Sequence, residues 1–141
     1  MTDAIRDGAR ALVSGEPDGR WYPPTVLVDV PRDAMICSEE AFAPVVNLFR
    51  VPDFATALAE INDSQFGLQC GVFTNDMERT LSAHDELEVG GVIVNDIPTW
   101  RTDAMPYGGV KDSGLGREGL RWSIEDMTEP RLLAFARTPG S

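Results

Sequence analysis

The sequence predicts an α/β protein, because strand-like and helix-like segments alternate along most of the chain. Between residues 45 and 94, three short apolar segments typical of buried strands are separated by two segments with the spacing of amphipathic helices. This alternation is the signature of parallel βαβ units. The 141 residues, 43% of them hydrophobic, suit one domain with an ordinary core. The fold class we predict is therefore α/β with a parallel sheet.

The first elements are short. A helix is predicted to end near Gly8, and a short strand follows over 9–13. After a loop rich in turn residues, SGEPDG, a strand is predicted over 25–30, because Pro23-Pro24 bars regular structure just before it. Met35 to Cys37 is a brief apolar run.

Capping residues and apolar periodicity mark the later elements. Asp53 is a typical N-cap residue for the helix that follows it, and Asn75-Asp76 begins a second helix. The sequence predicts strands over 45–51, 70–74, 92–94 and 131–136, and helices over 54–62, 75–89 and 117–127. The apolar faces of these helices would carry Phe54, Leu58 and Ile61, then Met77, Leu81 and Leu87, then Leu120, Ile124 and Met127. Residues 138–141 have the composition of a disordered end.

The charge balance excludes some classes of partner. Asp and Glu number 23 against 12 Lys and Arg, giving a formal charge of −11. Nucleic acids and anionic membranes need a basic face, so neither is expected as a partner. The sequence shows no signal peptide and no apolar run of membrane-spanning length. The two cysteines have no metal-binding spacing, so we expect no metal site and a cytoplasmic location.

Three residue types that often carry chemistry have plainer interpretations here. Gly114 to Gly119 fits the dinucleotide pattern G-x-G-x-x-G, but a polar loop precedes it instead of a buried strand. A role in starting a helix and in close packing is favoured over phosphate binding. Cys70 lies in an apolar strand, and Glu39 and Glu40 would raise the pKa of Cys37. His84 lies among charged residues and is expected to be solvated.

Two sets of charged residues leave alternatives open. Glu39 and Glu40 are either a solvated charge pair or part of a site, since they end an apolar run beside a turn that Phe42 would help to fix. Arg101 lies on the loop after strand 92–94, and loops at the carboxyl ends of strands carry the ligand groups of open α/β proteins. Its guanidinium could hold an anionic group bidentately or pair with Asp103.

Several motifs carry a family resemblance through their order and spacing. They are YPPTVL at 22–27, EEAFAPV at 39–45, Gly67-Leu68 with VFT at 72–74, Val94-Asn95, and PYGGVKDSGLGRE at 106–118. Nearly the whole chain, from Gly8 to Phe135, resembles the C-terminal part of the NAD(P)-dependent aldehyde dehydrogenase superfamily. The form NDIPTWRTDAMPYGGVKDSGLGREG is most similar to the branch that oxidises lactaldehyde, phosphonoacetaldehyde, succinic semialdehyde or, without phosphorylation, glyceraldehyde-3-phosphate.

The resemblance implies roles for individual residues. Glu40 would bind the ribose hydroxyls next to the nicotinamide of NAD or NADP, and Phe42 would pack near the nicotinamide. Trp100, Arg101 and Tyr107 would line the substrate funnel, with Arg101 holding a phosphate or carboxylate of the substrate. One departure from the family pattern is Ala43, which stands where glycine is usual and puts the geometry of that turn in question.

The resemblance also implies what this chain does not carry. In the family, the cofactor domain, the oxyanion-hole asparagine, the nucleophilic cysteine and the general-base glutamate all lie before the segment that resembles this chain. Neither cysteine here falls at the nucleophile's place, so no catalytic residue is assigned. We therefore expect a C-terminal fragment of an enzyme that oxidises an aldehyde, with an anionic group, to the carboxylic acid. Alone, it should be inactive and bind no cofactor.

The final segment bears on assembly. The resemblance implies a partial catalytic domain over 1–129 and, over 130–141, an oligomerisation strand with a tail. That strand comprises Arg131, Leu132, Leu133, Ala134, Phe135 and Ala136. An apolar strand without a partner seeks another chain. We expect a homodimer formed by strand exchange, and an N-terminal companion chain is a further candidate partner. The alternative function is a non-catalytic module that binds full-length subunits through this strand.

Overall fold

The fold consists of short sheets and helices in two units, which meet in the chain between Gln65 and Phe66. The structure is a computed structural model and describes residues 1–136. The single domain expected from chain length stays a prediction. The predicted boundary between residues 129 and 130 is a different division and stays a prediction.

The first unit is built on a three-stranded sheet. Strands β1 (Arg10–Val13), β2 (Thr25–Val28) and β3 (Val45–Leu48) lie in the order β1-β2-β3. β1 is antiparallel to β2, while β2 and β3 are parallel, with Thr25 opposite Val45. The parallel pairing confirms the predicted class, although the strands predicted over 25–30 and 45–51 end earlier.

The core of the first unit lies against the central strand, β2. Leu27 is fully buried and packs with Ala4, Ala9 and Val30. Burying a leucine side chain stabilises the folded state by roughly 1.5–3 kcal/mol. Thr25 is also buried, and its hydroxyl donates to the Pro23 carbonyl oxygen over 3.0 Å, so this polar group has a partner.

Three helices complete the first unit. They are α1 (Thr2–Arg6), α2 (Met35–Ser38) and α3 (Phe54–Asn62). The bounds of α3 are those predicted, because the Asp53 carboxylate accepts a hydrogen bond from the Thr56 N–H over 2.8 Å and so caps the first turn. Leu58 is buried as expected, but Ile61 is exposed. The apolar run Met35 to Cys37 forms α2, a single helical turn.

The second unit contains the predicted βαβ arrangement. Strands β5 (Gln69–Val72) and β6 (Gly91–Val94) are parallel and are connected by α4 (Met77–Glu86). Asp76 caps α4 by accepting hydrogen bonds from two N–H groups of its first turn. Two further strands, β4 (Phe66–Gly67) and β7 (Val110–Lys111), form an antiparallel pair. At two residues each, they are too short to produce a sequence pattern.

The predicted apolar faces of two helices are corrected. Leu87, the C-cap of α4, is buried as predicted, but Met77 and Leu81 are exposed and Ala83 is buried instead. α4 packs against β6, and its fully buried residue is the small Ala83. The last helix, α5 (Leu120–Asp126), has Met127 as its C-cap, and all three residues of the predicted face are exposed in this single chain; they are Leu120, Ile124 and Met127.

The helix predicted over 117–127 begins later, at Leu120. Gly116 and Gly119 have φ angles of 71° and 119°, which are not helical, so α5 cannot extend further back. Residues 131–136, predicted to form a strand that pairs with another chain, have no regular secondary structure in this single chain, and that pairing stays a prediction. A strand requires main-chain hydrogen bonds to a neighbour, and within residues 1–136 no segment pairs with them. The tail predicted over 138–141 lies outside the described residues.

None of the helices found within residues 1–136 is long and apolar enough to cross a membrane.

Candidate functional site

The candidate substrate loop begins where β6 ends, at Asn95. This residue has a left-handed backbone, with φ of 59°, a conformation that asparagine tolerates better than most residues. Its N–H donates to the Val72 carbonyl oxygen over 2.8 Å, and its side-chain Oδ1 accepts from the Thr74 N–H over 2.8 Å. The start of the loop is therefore fixed to the end of the parallel strand β5.

Main-chain hydrogen bonds fix the other end of the loop. Tyr107 forms an antiparallel bridge with Glu118: the Tyr107 N–H donates to the Glu118 carbonyl oxygen, and the Glu118 N–H donates to the Tyr107 carbonyl oxygen. Arg117 adds a side-chain contact, with its Nη1 donating to the carbonyl oxygens of Gly109 over 2.9 Å and Gly116 over 2.7 Å. The turn at 106–109 is thus held against the glycine-rich loop at 114–119.

Arg101 is held between two side chains brought together by this bridge. Its guanidinium carbon lies 4.2 Å from the centre of the Tyr107 ring, and its Nη2 lies 3.1 Å from Oε2 of Glu118. The sequence left two partners open for Arg101, an anionic group or Asp103. The side chain that it pairs with is Glu118, seventeen residues along the chain. Sequence reasoning missed Glu118, because nothing in its motif shows that the chain folds back there.

A cavity of about 480 Å³ lies beside this arrangement. Its lining includes Leu68, Tyr107, Ser113, Arg117, Glu118 and Asp126. Of the three predicted funnel residues, Tyr107 lines this cavity, whereas Arg101 and Trp100 do not. Trp100 is exposed, and its main-chain N–H donates to the Ile97 carbonyl oxygen over 3.0 Å. Cavities that place a few polar groups next to apolar walls are typical of small-molecule sites.

The glycine-rich loop packs closely, as the sequence predicts. Gly119 is the N-cap of α5, and its φ of 119° disfavours any residue with a Cβ. A Cβ there would also lie 2.8 Å from Cε3 of Trp122 and 3.2 Å from the Met105 carbonyl oxygen. The glycine pattern therefore serves a turn and a close contact, and no buried strand leads directly into it.

Glu40 and Phe42 lie in the first unit, where Glu39 and Glu40 both border a cavity of about 330 Å³. Its lining also includes Asp3, Tyr22, Ile36 and Val45. An exposed carboxylate at a cavity edge can accept hydrogen bonds from hydroxyl groups, and the role of Glu40 as a ribose ligand stays a prediction. The structure thus places the two expected cofactor residues in one unit and the three expected substrate residues in the other.

The backbone of the turn at 42–43 shows whether alanine is compatible with position 43. Among residues 1–136, the residues other than glycine with a positive φ include Phe42, at 46°, but not Ala43. Alanine is therefore compatible with the backbone at position 43. The unusual residue is Phe42, whose left-handed backbone is sparsely populated for large side chains, and whose side chain is 91% exposed.

The pKa values of both cysteine thiols are raised in the folded chain. Burial raises the pKa of the Cys70 thiol. Burial also raises the pKa of Cys37; the Arg32 charge opposes this shift and the Asp33 charge adds to it. The predicted rise in the pKa of Cys37 is confirmed, but it is caused by burial and by the charge of Asp33, and not by Glu39 and Glu40.

His84 is exposed, and its Nδ1 lies 2.9 Å from Oδ1 of Asp85. Within residues 1–136, no group of three or more His, Cys, Asp or Glu side chains could hold a metal ion.

Comparison with known families identifies the family of this chain. The sequence profile described as the aldehyde dehydrogenase family matches residues 1–133. The chain belongs to the aldehyde dehydrogenase family. The resemblance drawn from the EEAFAPV and PYGGVKDSGLGRE motifs is thereby confirmed.

Curated aldehyde dehydrogenases are similar to this chain over most of its length. A 3-sulfolactaldehyde dehydrogenase from Priestia aryabhattai is 44% identical over 135 residues, which are 96% of this chain and 28% of that protein. A lactaldehyde dehydrogenase from Methanococcus aeolicus is 42% identical over 133 residues, which are 94% of this chain and 28% of that protein. The chain thus spans little more than a quarter of the length of these relatives.

Solved aldehyde dehydrogenase structures show the same fold. Aldehyde dehydrogenase 21 from Physcomitrella patens, in complex with the reaction product succinate, superimposes with a TM-score of 0.88 at 44% identity. The match covers 91% of this chain and 27% of that one. The glyceraldehyde-3-phosphate dehydrogenase GapN from Methanocaldococcus jannaschii, complexed with NADP, gives a TM-score of 0.83 at 40% identity. That match covers 89% of this chain and 27% of the other.

Proposed function

We propose that this chain forms part of an enzyme that oxidises an aldehyde with an anionic group to the corresponding carboxylic acid, with NAD or NADP as hydride acceptor. Trp100, Arg101 and Tyr107 line the substrate site, and Glu40 and Phe42 contact the nicotinamide end of the cofactor. The observation that carries this proposal is the position of the Arg101 guanidinium, stacked on Tyr107 beside a cavity lined by Tyr107 and Glu118.

The geometry of Arg101 suits an anionic substrate. Stacking occupies the face of the guanidinium and leaves its N–H donors in the plane, where a carboxylate, sulfonate or phosphate can accept two hydrogen bonds. Two of the similar proteins point to the same chemistry: one is named for a sulfonated aldehyde, and one was crystallised with succinate, a dicarboxylate. These are properties of those proteins, and they support the proposal for this one.

Catalysis by this site requires groups outside these 141 residues. The family reaction begins when a cysteine thiolate adds to the aldehyde carbon, after which a hydride leaves that carbon for the cofactor. The pKa values of Cys37 and Cys70 are both raised, so neither supplies a thiolate readily at neutral pH. We therefore propose that the chain by itself has no dehydrogenase activity and does not retain the cofactor.

A chimera tests the substrate role directly. In the Priestia aryabhattai enzyme, the 135-residue segment that aligns with this chain is replaced by this chain, and NAD(P)H formation is measured with 3-sulfolactaldehyde and with a neutral aldehyde. Arg101→Gln should lower kcat/KM for the anionic aldehyde by about ten- to a hundred-fold, the value of a charged hydrogen bond. The neutral aldehyde should react as before.

Two controls complete this design. Arg121→Gln removes another exposed arginine of the same unit, one that pairs with Glu125, and should leave both substrates unaffected. The isolated chain, assayed with both aldehydes and both cofactors, should form no NAD(P)H. Equal activity of the Arg101→Gln and parent chimeras on 3-sulfolactaldehyde would contradict the proposed role of Arg101.

A second candidate function is binding to another chain through residues 131–136. The observation that favours it is the exposure of Leu132, Leu133 and Phe135, whose side chains are 90%, 77% and 88% exposed. Large apolar side chains exposed together in an unpaired segment are typical of interaction sites. We propose that this segment pairs with a second copy of this chain; full-length subunits and an N-terminal companion chain are alternative partners.

Size-exclusion chromatography with light scattering tests the second candidate. The wild-type chain should elute as a dimer at micromolar concentration, and Leu133→Asp with Phe135→Asp should shift it to a monomer. Leu115→Asp is the matched control, because Leu115 is also exposed but lies outside the segment. A wild-type monomer at every concentration would overturn the homodimer.

A further inference from the structure

The carboxylate of Glu118 occupies the site on Arg101 that a substrate anion would need. Its Oε2 lies 3.1 Å from Nη2 of Arg101. The main chain of Glu118 is fixed by the bridge to Tyr107, and Tyr107 also supplies the ring on which Arg101 stacks. The competing carboxylate and the stacking ring are therefore attached to one rigid piece of backbone.

This ion pair is suited to being exchanged. The side chains of Arg101 and Glu118 are 41% and 67% exposed, so water and salt screen their attraction, and such pairs add little to stability. In this ion pair, Nη2 of Arg101 donates one hydrogen bond to Oε2 of Glu118. An anion that binds the guanidinium through two oxygens makes one more charge-assisted hydrogen bond than Glu118 does.

From this geometry we infer that Glu118 is a specificity-determining residue: it holds the Arg101 guanidinium when no ligand is bound and is displaced by an anion that binds with two oxygens. The inference rests on the proposed function, since it assumes that Arg101 is the anion ligand. The competition by Glu118 would make the site select anionic groups over neutral ones. Carboxylates, sulfonates and phosphates displace Glu118, whereas neutral groups cannot compete with a carboxylate for a guanidinium.

Substitutions at Glu118 separate direct competition from two other effects of its charge. Glu118→Gln removes the charge. Glu118→Asp keeps the charge but shortens the side chain by one methylene, which breaks the contact with Nη2. Direct competition predicts tighter anion binding in both variants. If the negative charge of Glu118 only repels the anion at a distance, binding should tighten in Glu118→Gln alone. If the ion pair serves only to hold Arg101 in place, binding should weaken in both variants.

The experiment is a titration of the full chain at constant ionic strength, followed by the NMR signals of the Arg101 side-chain N–H groups and of the Tyr107 main-chain N–H. The Tyr107 signal is present in every variant, including Arg101→Gln. Acetate is the anionic probe, and acetamide is the neutral probe of the same shape. We expect Glu118→Gln and Glu118→Asp to bind acetate about two- to five-fold more tightly than wild type, the range set by an exposed ion pair. Acetamide should show no gain.

Two further variants keep the outcomes separate. Glu125→Gln removes one carboxylate from another exposed ion pair, with Arg121, and should leave acetate binding unchanged. Arg101→Gln should abolish acetate binding at this site. If Arg101→Gln abolishes binding while both Glu118 variants match or fall below wild type, the competition is overturned and the role of Arg101 stands. If acetate perturbs neither Arg101 nor Tyr107 in any variant that keeps Arg101, the proposed function itself fails.

Discussion

Tyr107 and Glu118 exchange both of their main-chain hydrogen bonds, over 3.1 Å and 2.6 Å, and so join the substrate loop to the glycine-rich loop. Because the two backbones are paired, the Tyr107 ring and the Glu118 carboxylate both lie next to Arg101, at 4.2 Å and 3.1 Å. Arg117, the neighbour of Glu118, holds the same turn from its other side by donating to Gly109. A short main-chain bridge therefore determines the geometry of the candidate site.

Replacing Arg117 with glutamine should loosen this bridge. The change removes the hydrogen bonds from Nη1 to the Gly109 and Gly116 carbonyl oxygens, which are worth about 1–2 kcal/mol in a partly exposed setting. Hydrogen exchange at the Tyr107 and Glu118 amides, which reports local opening, should become roughly five- to thirty-fold faster. Arg121→Gln is the control, since it breaks an exposed pair on α5. Unchanged exchange in Arg117→Gln would show that the bridge holds by itself.

Gly90→Ala should destabilise the second unit strongly. The added Cβ would collide with the Gly108 carbonyl group and approach the Leu68 carbonyl oxygen, so the backbone would have to move. We expect the free energy of unfolding in urea, followed by circular dichroism, to fall by about 1–3 kcal/mol or more. Gly91→Ala is the matched control and should cost less, because a Cβ at Gly91 meets the flexible side chain of Gln69. Equal stability of the two variants would contradict this close approach.

The cap of α3 should respond to acid. The N–H of Thr56 donates to the Asp53 carboxylate, and this hydrogen bond lowers the pKa of Asp53 below its ordinary value of 3.8. Because the pKa is lower in the folded state, the cap stabilises α3 fully above the ordinary pKa. This contribution is lost as the pH falls through the folded value. An NMR titration of the Asp53 carboxyl carbon should therefore show a midpoint below 3.8.

Asp53→Asn provides the comparison for this titration. Asparagine also caps helices but does not titrate, so the amide shift of Thr56 should lose its acid transition while α3 stays folded. A midpoint at or above the ordinary value in the wild-type chain would contradict the lowered pKa.

Alkylation should show that the two thiols are unreactive. Burial raises the pKa of Cys37 and of Cys70, so less thiolate is present at neutral pH. Iodoacetamide should label each cysteine more slowly in the folded chain than in urea, measured separately in the Cys37→Ser and Cys70→Ser variants. The folded rates should rise at higher pH than the unfolded rates do. Faster labelling in the folded state would indicate an activated thiol and reopen its role as a nucleophile.

Local sequence signals were sufficient where a single residue controls an element. Asp53 caps α3, which has its predicted bounds, and Asp76 caps α4, which is present as predicted but spans Met77–Glu86 instead of 75–89. The signals failed where two distant segments meet. The pairing of β4 with β7 joins residues that carry no periodic pattern, and the expected strand at 131–136 depends on a partner that no residue in 1–136 provides.

The sequence by itself determined the α/β class, the capped helices, the family and the residues expected at the site, because capping, periodicity and motif spacing are local properties of the chain. Only the tertiary structure decided the partner of Arg101, the burial of Ala83 in place of Leu81, and the left-handed backbone at Phe42. These depend on which segments approach each other in space, and that is set by the whole fold. Glu118 lies beside Arg101 because a bridge to Tyr107 places it there.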